Sequence, residues 1–304
     1  MLLLLEQVLN GLQLGVTLFL MAAGLTLVFG IMRLINLAHG SLYMLGAFVA
    51  ATVTQASGSF LLGLLAAVPA AALTGLLVEI VVLRRLYARD HLDQVLATFG
   101  LLLFFNALVQ LLWGRQPLFM DVPELLAGSV ELIPGVPYPA YRLAIIGAGL
   151  AVAGLLYVLV ARTRLGMQIR ASASNREMAE AIGINTPLLY SAVFALGAGL
   201  AGLAGLMAAP ILAVESGMGE SILIETFVVI VIGGLGSIRG AFLGALLVGL
   251  VDTLGRAFLP TVLRLFLPAA TADGAGSSLA SMGIYILMAI VLLWRPRGLF
   301  PAPA

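Results

Sequence analysis

Apolar residues in this chain come in runs of about twenty separated by short polar stretches, and no other feature narrows its fold as sharply. A helix rises 1.5 Å per residue, so ~20 apolar residues match the ~30 Å hydrocarbon core of a bilayer. A transmembrane β-barrel would alternate polarity over ~10-residue segments, a pattern these runs lack. Lipid offers no hydrogen bonds, so the backbone must satisfy itself within each segment, which leaves helices. Composition agrees where it matters: 10% of the residues are charged, against about 25% in a soluble domain. The expected fold is all-α, a polytopic transmembrane helical bundle of about eight to nine spans, with residues 1–304 forming a single transmembrane domain.

The runs place spans at Val8 to Gly30, Asn36 to Thr54, Leu61 to Leu83, Gln94 to Trp113 and Leu143 to Val160. They continue at Leu188 to Ala208, Ile222 to Leu235, Gly240 to Phe258 and Leu279 to Trp294. Met1 to Gly30 reads as an uncleaved first span, because a secretory signal wants a positive n-region and the first basic residue is Arg33. As one helix, Ile222 to Phe258 would run ~55 Å, too long for the core. The sequence GGLGSIRG supplies a break there, and the piece before it is expected to be short and re-entrant. Arg239 in that break should sit in a loop, at an interface or in a wet cavity, since a central Arg costs at least ~2.5–3.5 kcal/mol in lipid.

Orientation follows from the basic residues, all fifteen of which are Arg. Placing Arg84, Arg85, Arg89 and the stretch from Arg162 to Arg176 inside puts Arg33, Arg239, Arg295 and Arg297 inside as well. Eleven then fall inside, against Arg115, Arg142, Arg256 and Arg264 outside, the asymmetry of the positive-inside rule. The C-terminus is expected to be cytoplasmic. Two larger connections remain, an external loop 114–142 and a polar internal loop 162–187.

The missing residue types exclude several chemistries. Without Lys there is no P-loop lysine and no Schiff base. Without Cys there is no thiol catalysis or cysteine metal site. His39 and His91 are the only histidines, too few for a histidine-built metal centre. No lysine- or cysteine-dependent catalysis and no cysteine- or histidine-built metal site is expected in the chain.

The internal loop holds RASASNREMAEAIGIN, Arg170 to Asn185. Ser174 and Glu177 have capping-box spacing, Asn175 to Ile182 makes about two helical turns, and Gly183 suits the left-handed position after a helix end. Met178, Ala181 and Ile182 form an apolar strip beside Arg176 and Glu180, and Arg170, Ala171 and Ala179 complete the segment. Such a helix can dock on another protein or pack on its own membrane domain, and the residues leave both open.

Two spans are interrupted in corresponding parts of the chain, which in transporters points to the substrate path. FGIMRLINLAHGSLYMLGAF runs from Phe29 to Phe48, and GGLGSIRGAFLGA from Gly233 to Ala245. Both carry Gly-Ser and then Gly-Ala-Phe with spacing offset by two residues, which suggests a two-half internal pseudo-repeat. Asn36, His39, Gly40, Ser41, Gly233, Gly234, Gly236 and Ser237 are therefore the candidate substrate-path residues. Structural packing competes with that role, for His39 above all. Ala198, Ala201, Gly202, Gly205 and Gly240, Gly244, Ala245, Gly249 are spaced for close helix contact. Asp252 and Arg256 can pair four residues apart. An ion-coupled secondary transporter and, more remotely, a membrane enzyme stay open on this reading.

At these residues the chain resembles the permease subunits of bacterial ABC importers for branched-chain amino acids, the type with a short N-terminus. The resemblance rests on Gly24 to Ala47, Arg170 to Asn185, Val231 to Gly249 and a closing RPRGLF, Arg295 to Phe300. Arg239 departs from it, standing where similar sequences often have Pro. The resemblance implies a permease of the inner membrane that pairs with a second, similar permease, two ATPase subunits and an extracytoplasmic binding protein. The same resemblance implies that the chain itself holds no catalytic residue and no cofactor. ATP and Mg would be used by the ATPase subunits, and Arg170 to Asn185 would be the segment that seats on them. Hydrophobic, branched-chain amino acids are the implied substrates, with urea or short amides as the alternative within the same type.

Overall fold

A computed structural model describes residues 2–32, 34–87, 89–133 and 136–300. Its helices are α1 (Leu2–Met32), α2 (His39–Ser57), α3 (Phe60–Val78), α4 (Arg84–Leu86), α5 (His91–Trp113), α6 (Ala140–Arg162), α7 (Arg164–Ser174) and α8 (Arg176–Ala181). They continue as α9 (Thr186–Ala208), α10 (Met218–Gly233), α11 (Ile238–Leu263) and α12 (Ala269–Trp294). A π-helical turn, Glu79–Leu83, joins α3 to α4 without a break.

The chain is a polytopic helical bundle. Among the described residues seven stretches are long and apolar enough to cross a bilayer: Leu2–Met32, Phe60–Leu86, His91–Trp113, Ala140–Arg162, Thr186–Ala208, Ile238–Leu263 and Ala269–Trp294. The expected eight to nine spans also counted α2, which carries His, Gln and hydroxyl residues, and α10, which has 16 residues. These two shorter helices lie at the centre, while α5, α6 and α12 turn mostly apolar faces outward. A helix that stays apolar outside as well as inside belongs in lipid.

Small residues set the central packing. Gly11 and Gly15 of α1 let its backbone meet Ala245, Leu246, Gly249 and Leu250 of α11. Gly24 meets Gly197 of α9, and Gly46 of α2 meets Gly202. A Cβ at any of these would run into backbone of the facing helix, so the glycine and alanine ladders are packing surfaces, as their spacing indicates.

Parts of the fold differ from the sequence reading. Helix α12 starts ten residues before Leu279, because an alanine-rich stretch favours helix and its Asp273 pairs with Arg264 at the end of α11, 2.8 Å apart. Loop 114–142 holds two strands that the all-α reading did not anticipate, β1 (Ser129–Ile133) and β2 (Val136–Pro139), paired antiparallel with Val130 opposite Tyr138. The hairpin is fastened to the start of α1, where the Tyr138 hydroxyl donates to Asn10 at 3.1 Å and Arg142 also binds Asn10. Leu118 forms a bridge with Val214, each amide donating to the other's carbonyl at 2.9 Å. Arg33, one of the arginines assigned to the inside, lies outside the described residues.

Candidate functional site

The break between α1 and α2 is a tight turn buried in protein. The Asn36 Oδ1 accepts the Ala38 amide at 3.0 Å, and the Asn36 carbonyl accepts the His39 amide at 3.3 Å. Asn36, His39 and Ser41 are all buried. His39 opens α2 with its imidazole against Gly24 of α1, and Gly40 abuts Gly219 near the start of α10. Two helix starts thus meet inside the bundle, each without a side-chain cap. The Asn36 amide nitrogen has no acceptor among the described residues.

The break between α10 and α11 is built differently. Gly234 and Gly236 take φ +109° and +80°, conformations that disfavour residues with a Cβ. Ser237 then caps α11, its hydroxyl accepting the Gly240 amide at 3.1 Å. Gly233 packs on Gly240 across the hairpin. The closing RPRGLF segment straps this turn from outside: the Leu299 and Phe300 amides donate to the Ile232 and Gly233 carbonyls at 2.8 and 2.9 Å.

A cleft of about 1470 Å3 opens at this second break, walled by α1, α6, α7, the turn itself and Phe300. Gly236, Ser237 and Arg239 line it, with Phe29, Ile35, Tyr157 and Phe242. Asn36, His39, Gly40 and Ser41 do not line it; only their neighbour Ile35 does. The structure therefore does not gather the candidate path residues of the two breaks into one wall. Arg239 lies exposed at the cleft, as expected, with its guanidinium 5.7 Å from the centre of the Tyr157 ring.

Segment 162–187 folds as two short helices. Thr163 caps α7 by accepting the Gly166 amide at 3.1 Å. Arg170 donates to the Val160 carbonyl, which folds α7 back on α6. The capping box differs from the sequence reading: Ser174 is the last residue of α7, and Asn175 caps α8 by accepting the Met178 amide at 3.0 Å. The Ala-Ser run keeps α7 helical through Ser174, so the extended residue a cap requires is Asn175, at φ −150° and ψ 106°. Glu177 then lies at the second helical position, too early to reach back as a capping-box acid.

Gly183 takes φ +91° after α8, the left-handed conformation expected there. Arg176 pairs with Glu180 at 2.9 Å and lies 5.3 Å above the Tyr190 ring of α9. Thr186 also binds Glu180. The Thr186 hydroxyl and then the Arg176 guanidinium hold the Glu180 carboxyl below the usual carboxylate range. Ala179 is buried against the bundle, whereas Met178 is 60% and Ile182 69% exposed. The apolar strip is real, and Met178, Ala181 and Ile182 face away from the membrane domain.

Sequence reasoning missed one cluster. Glu79 is fully buried and forms an ion pair with Arg84. Five residues apart, the two would diverge by roughly 140° on an α-helix; the π-turn brings them together because its period closes at i to i+5. Asp252 and Arg256 pair on α11 at 2.8 Å, as their spacing indicates. Among the described residues no group of three His, Cys, Asp or Glu could hold a metal ion.

The family model for the permease component of branched-chain amino acid transport systems matches residues 7–292. The high-affinity branched-chain amino acid transport system permease protein BraD of Pseudomonas aeruginosa is 32% identical, over 98% of this chain and 96% of that protein. The corresponding permease protein LivH of Escherichia coli is 28% identical, over 98% and 96%. The ribose import permease protein RbsC of Escherichia coli is 25% identical, over 77% and 72%. No solved structure matches the chain.

Proposed function

This chain belongs to the family of branched-chain amino acid transport system permease components, and from that premise we propose that it forms half of the membrane channel of an ATP-driven importer. Its partners on this reading are a second homologous permease, two ABC ATPase subunits that use ATP and Mg, and an extracytoplasmic binding protein. The chain itself breaks no bond. It sits in the bacterial inner membrane with segment 162–187 and the C-terminus in the cytoplasm, the orientation that its arginines favour.

One observation carries the ATPase assignment. Helix α8 is held by the Asn175 cap and by Arg176 on Glu180 and Tyr190, yet Met178 and Ile182 stand exposed beyond the bundle. A fixed helix with bare apolar side chains fits a partner's groove, and a chain without Lys needs a partner to hydrolyse ATP. The family supports a hydrophobic, branched-chain amino acid as cargo, carried by alternating access. We place Gly233, Gly234, Gly236 and Ser237 beside its route through the cleft. Asn36, whose buried amide nitrogen has no acceptor among the described residues, and His39, Gly40 and Ser41 flank the route from within the bundle.

Reconstitution in proteoliposomes tests this. Uptake of labelled leucine should require the ATPase subunits, ATP and the binding protein. Uptake that persists without the ATPase subunits and collapses with a protonophore would establish a secondary transporter instead. Replacing both Met178 and Ile182 by Asp should abolish co-purification of the ATPase subunits while the permease remains in the membrane.

A further inference from the structure

Transport as described makes no use of the ion pair at the end of α3, between buried Glu79 and exposed Arg84. The Glu79 carboxylate accepts four hydrogen bonds from three side chains. Arg84 donates through Nε at 3.3 Å and Nη2 at 3.1 Å, the Tyr87 hydroxyl at 2.8 Å, and the Ser191 hydroxyl of α9 at 2.7 Å. Burial, then the Glu79 carboxylate, pushes the Tyr87 hydroxyl above its ordinary range, so it stays a donor. A buried charge this fully ligated fixes the register of the π-turn against α9, and π-turns are frequent at functional sites.

The cluster lies between the docking helix and the first break. On one side the Tyr87 ring meets the Tyr190 ring edge-on, centroids 5.6 Å apart, and Tyr190 carries the Arg176 guanidinium of α8 at 5.3 Å. On the other side the Tyr87 hydroxyl lies 3.5 Å from Met32 Sδ, and the Tyr190 hydroxyl 3.5 Å from the Ile31 carbonyl. Ile31 and Met32 end α1 just before the turn that starts α2. A pocket of about 310 Å3 lined by Arg84, Tyr87, Arg176, Pro187 and Tyr190 adjoins both rings. The rings thus touch α8 and the end of α1, and the pocket borders both of them.

We propose that Tyr87 and Tyr190, anchored by Glu79, are positioning residues that carry the motion of α8 to the π-turn of α3 and the end of α1. Movement of α8 on its ATPase subunit shifts Arg176 and with it the Tyr190 ring. Tyr190 displaces Tyr87 toward the pocket. The Tyr87 hydroxyl then releases or regains Glu79, so the turn between α3 and α4 and the last turn of α1 change together. This inference rests on the importer reading above.

The test uses the complete transporter in proteoliposomes, measuring ATP hydrolysis with and without loaded binding protein, and leucine taken up per ATP. Tyr87→Phe removes only the hydroxyl that reaches Glu79, and Tyr190→Leu removes the ring that joins α8 to Tyr87. Each should lower stimulation by the binding protein and uptake per ATP by at least about fivefold, the lower end of ordinary coupling between sites. Assembly and unstimulated hydrolysis should stay within about twofold, and the double variant should lose no more than the worse single one. Ser191→Ala, which removes a different ligand of Glu79, is measured alongside so that one poorly folding variant does not leave the question open.

Wild-type uptake per ATP in both tyrosine variants would overturn the proposal. So would a loss that only tracks the amount of assembled complex, since that is a structural role. A wild-type complex with no ATP-dependent uptake at all would instead overturn the importer reading itself.

Discussion

Between α1 and α2 the chain turns inside protein: Leu34, Asn36, Ala38 and His39 are all buried, and the closing hydrogen bond comes from a side chain two residues away. Between α10 and α11 it turns at the edge of a cleft, with Gly236 and Ser237 half-exposed. There the closing hydrogen bonds come from Leu299 and Phe300, more than sixty residues away in the chain. Both breaks adjoin a Gly-Ser, Gly-Ala-Phe pattern whose spacing differs by two residues, yet close packing inside the bundle fixes one and a removable strap fixes the other. The Gly-Ser pair itself forms the second turn, whereas in the first half it already belongs to α2 and the turn is made by residues 34–38; these different surroundings decide whether the bend can move. The first break should therefore behave as part of the core and the second as a joint.

The largest expected effect comes from breaking the packed turn. A leucine at Gly40 would drive its side chain into the carbonyl of Gly219, where two backbones touch. Overpacking costs ~1–3 kcal/mol even where side chains can give way, and backbone gives way less. Gly40→Leu should abolish the monodisperse, detergent-solubilised protein. A wild-type melting temperature for this variant would show that packing does not fix the first break.

The strap offers the next largest effect and the sharpest contrast. Ending the chain after Pro296 removes the two amides that reach the Ile232 and Gly233 carbonyls. Each buried acceptor left bare costs ~1–3 kcal/mol. Amide exchange should rise through residues 234–238 by orders of magnitude and stay unchanged through 34–41. Equal rises at both turns would mean that the two breaks form one unit.

The bundle, the break between α10 and α11 and the helix that follows Asn175 were all legible, because each depends on local signals: run length, a Gly-rich interruption, and an Asn or Ser before a polar turn. Ser174 was misread as the cap because two adjacent residues can both cap, and only the continuation of α7 decides between them. The 129–139 hairpin was missed because its prolines speak for a loop, while its anchor, Asn10, is distant in sequence. Glu79 and Arg84 were missed because α-helical spacing is the wrong ruler across a π-turn. The cleft was invisible for a general reason: periodicity shows which residues share a face and says nothing of how far apart two helices stand.

Asn36→Leu probes the first break more gently. It removes the acceptor of the Ala38 amide and leaves that buried donor bare, a loss of ~1–3 kcal/mol, with side-chain volume nearly conserved. The melting temperature should fall by several degrees and transport with it. If transport falls while the melting temperature holds, Asn36 acts on the cargo rather than on the turn, and the first break is not purely structural.

Ser237→Ala is the smallest of the four and isolates the cap of the second break. Loss of a serine cap costs ~1 kcal/mol, and the strap still holds the turn from the other side, so folding should survive with a slightly lower melting temperature. Ser237→Asn, which restores an acceptor for the Gly240 amide, should recover that loss. If the joint moves during transport, the alanine variant should change the rate of uptake by more than its stability cost suggests, because a looser cap favours one position of the joint over the other. An uptake rate that follows melting temperature alone, across Ala, Asn and Ser, would place the second break in the same rigid class as the first.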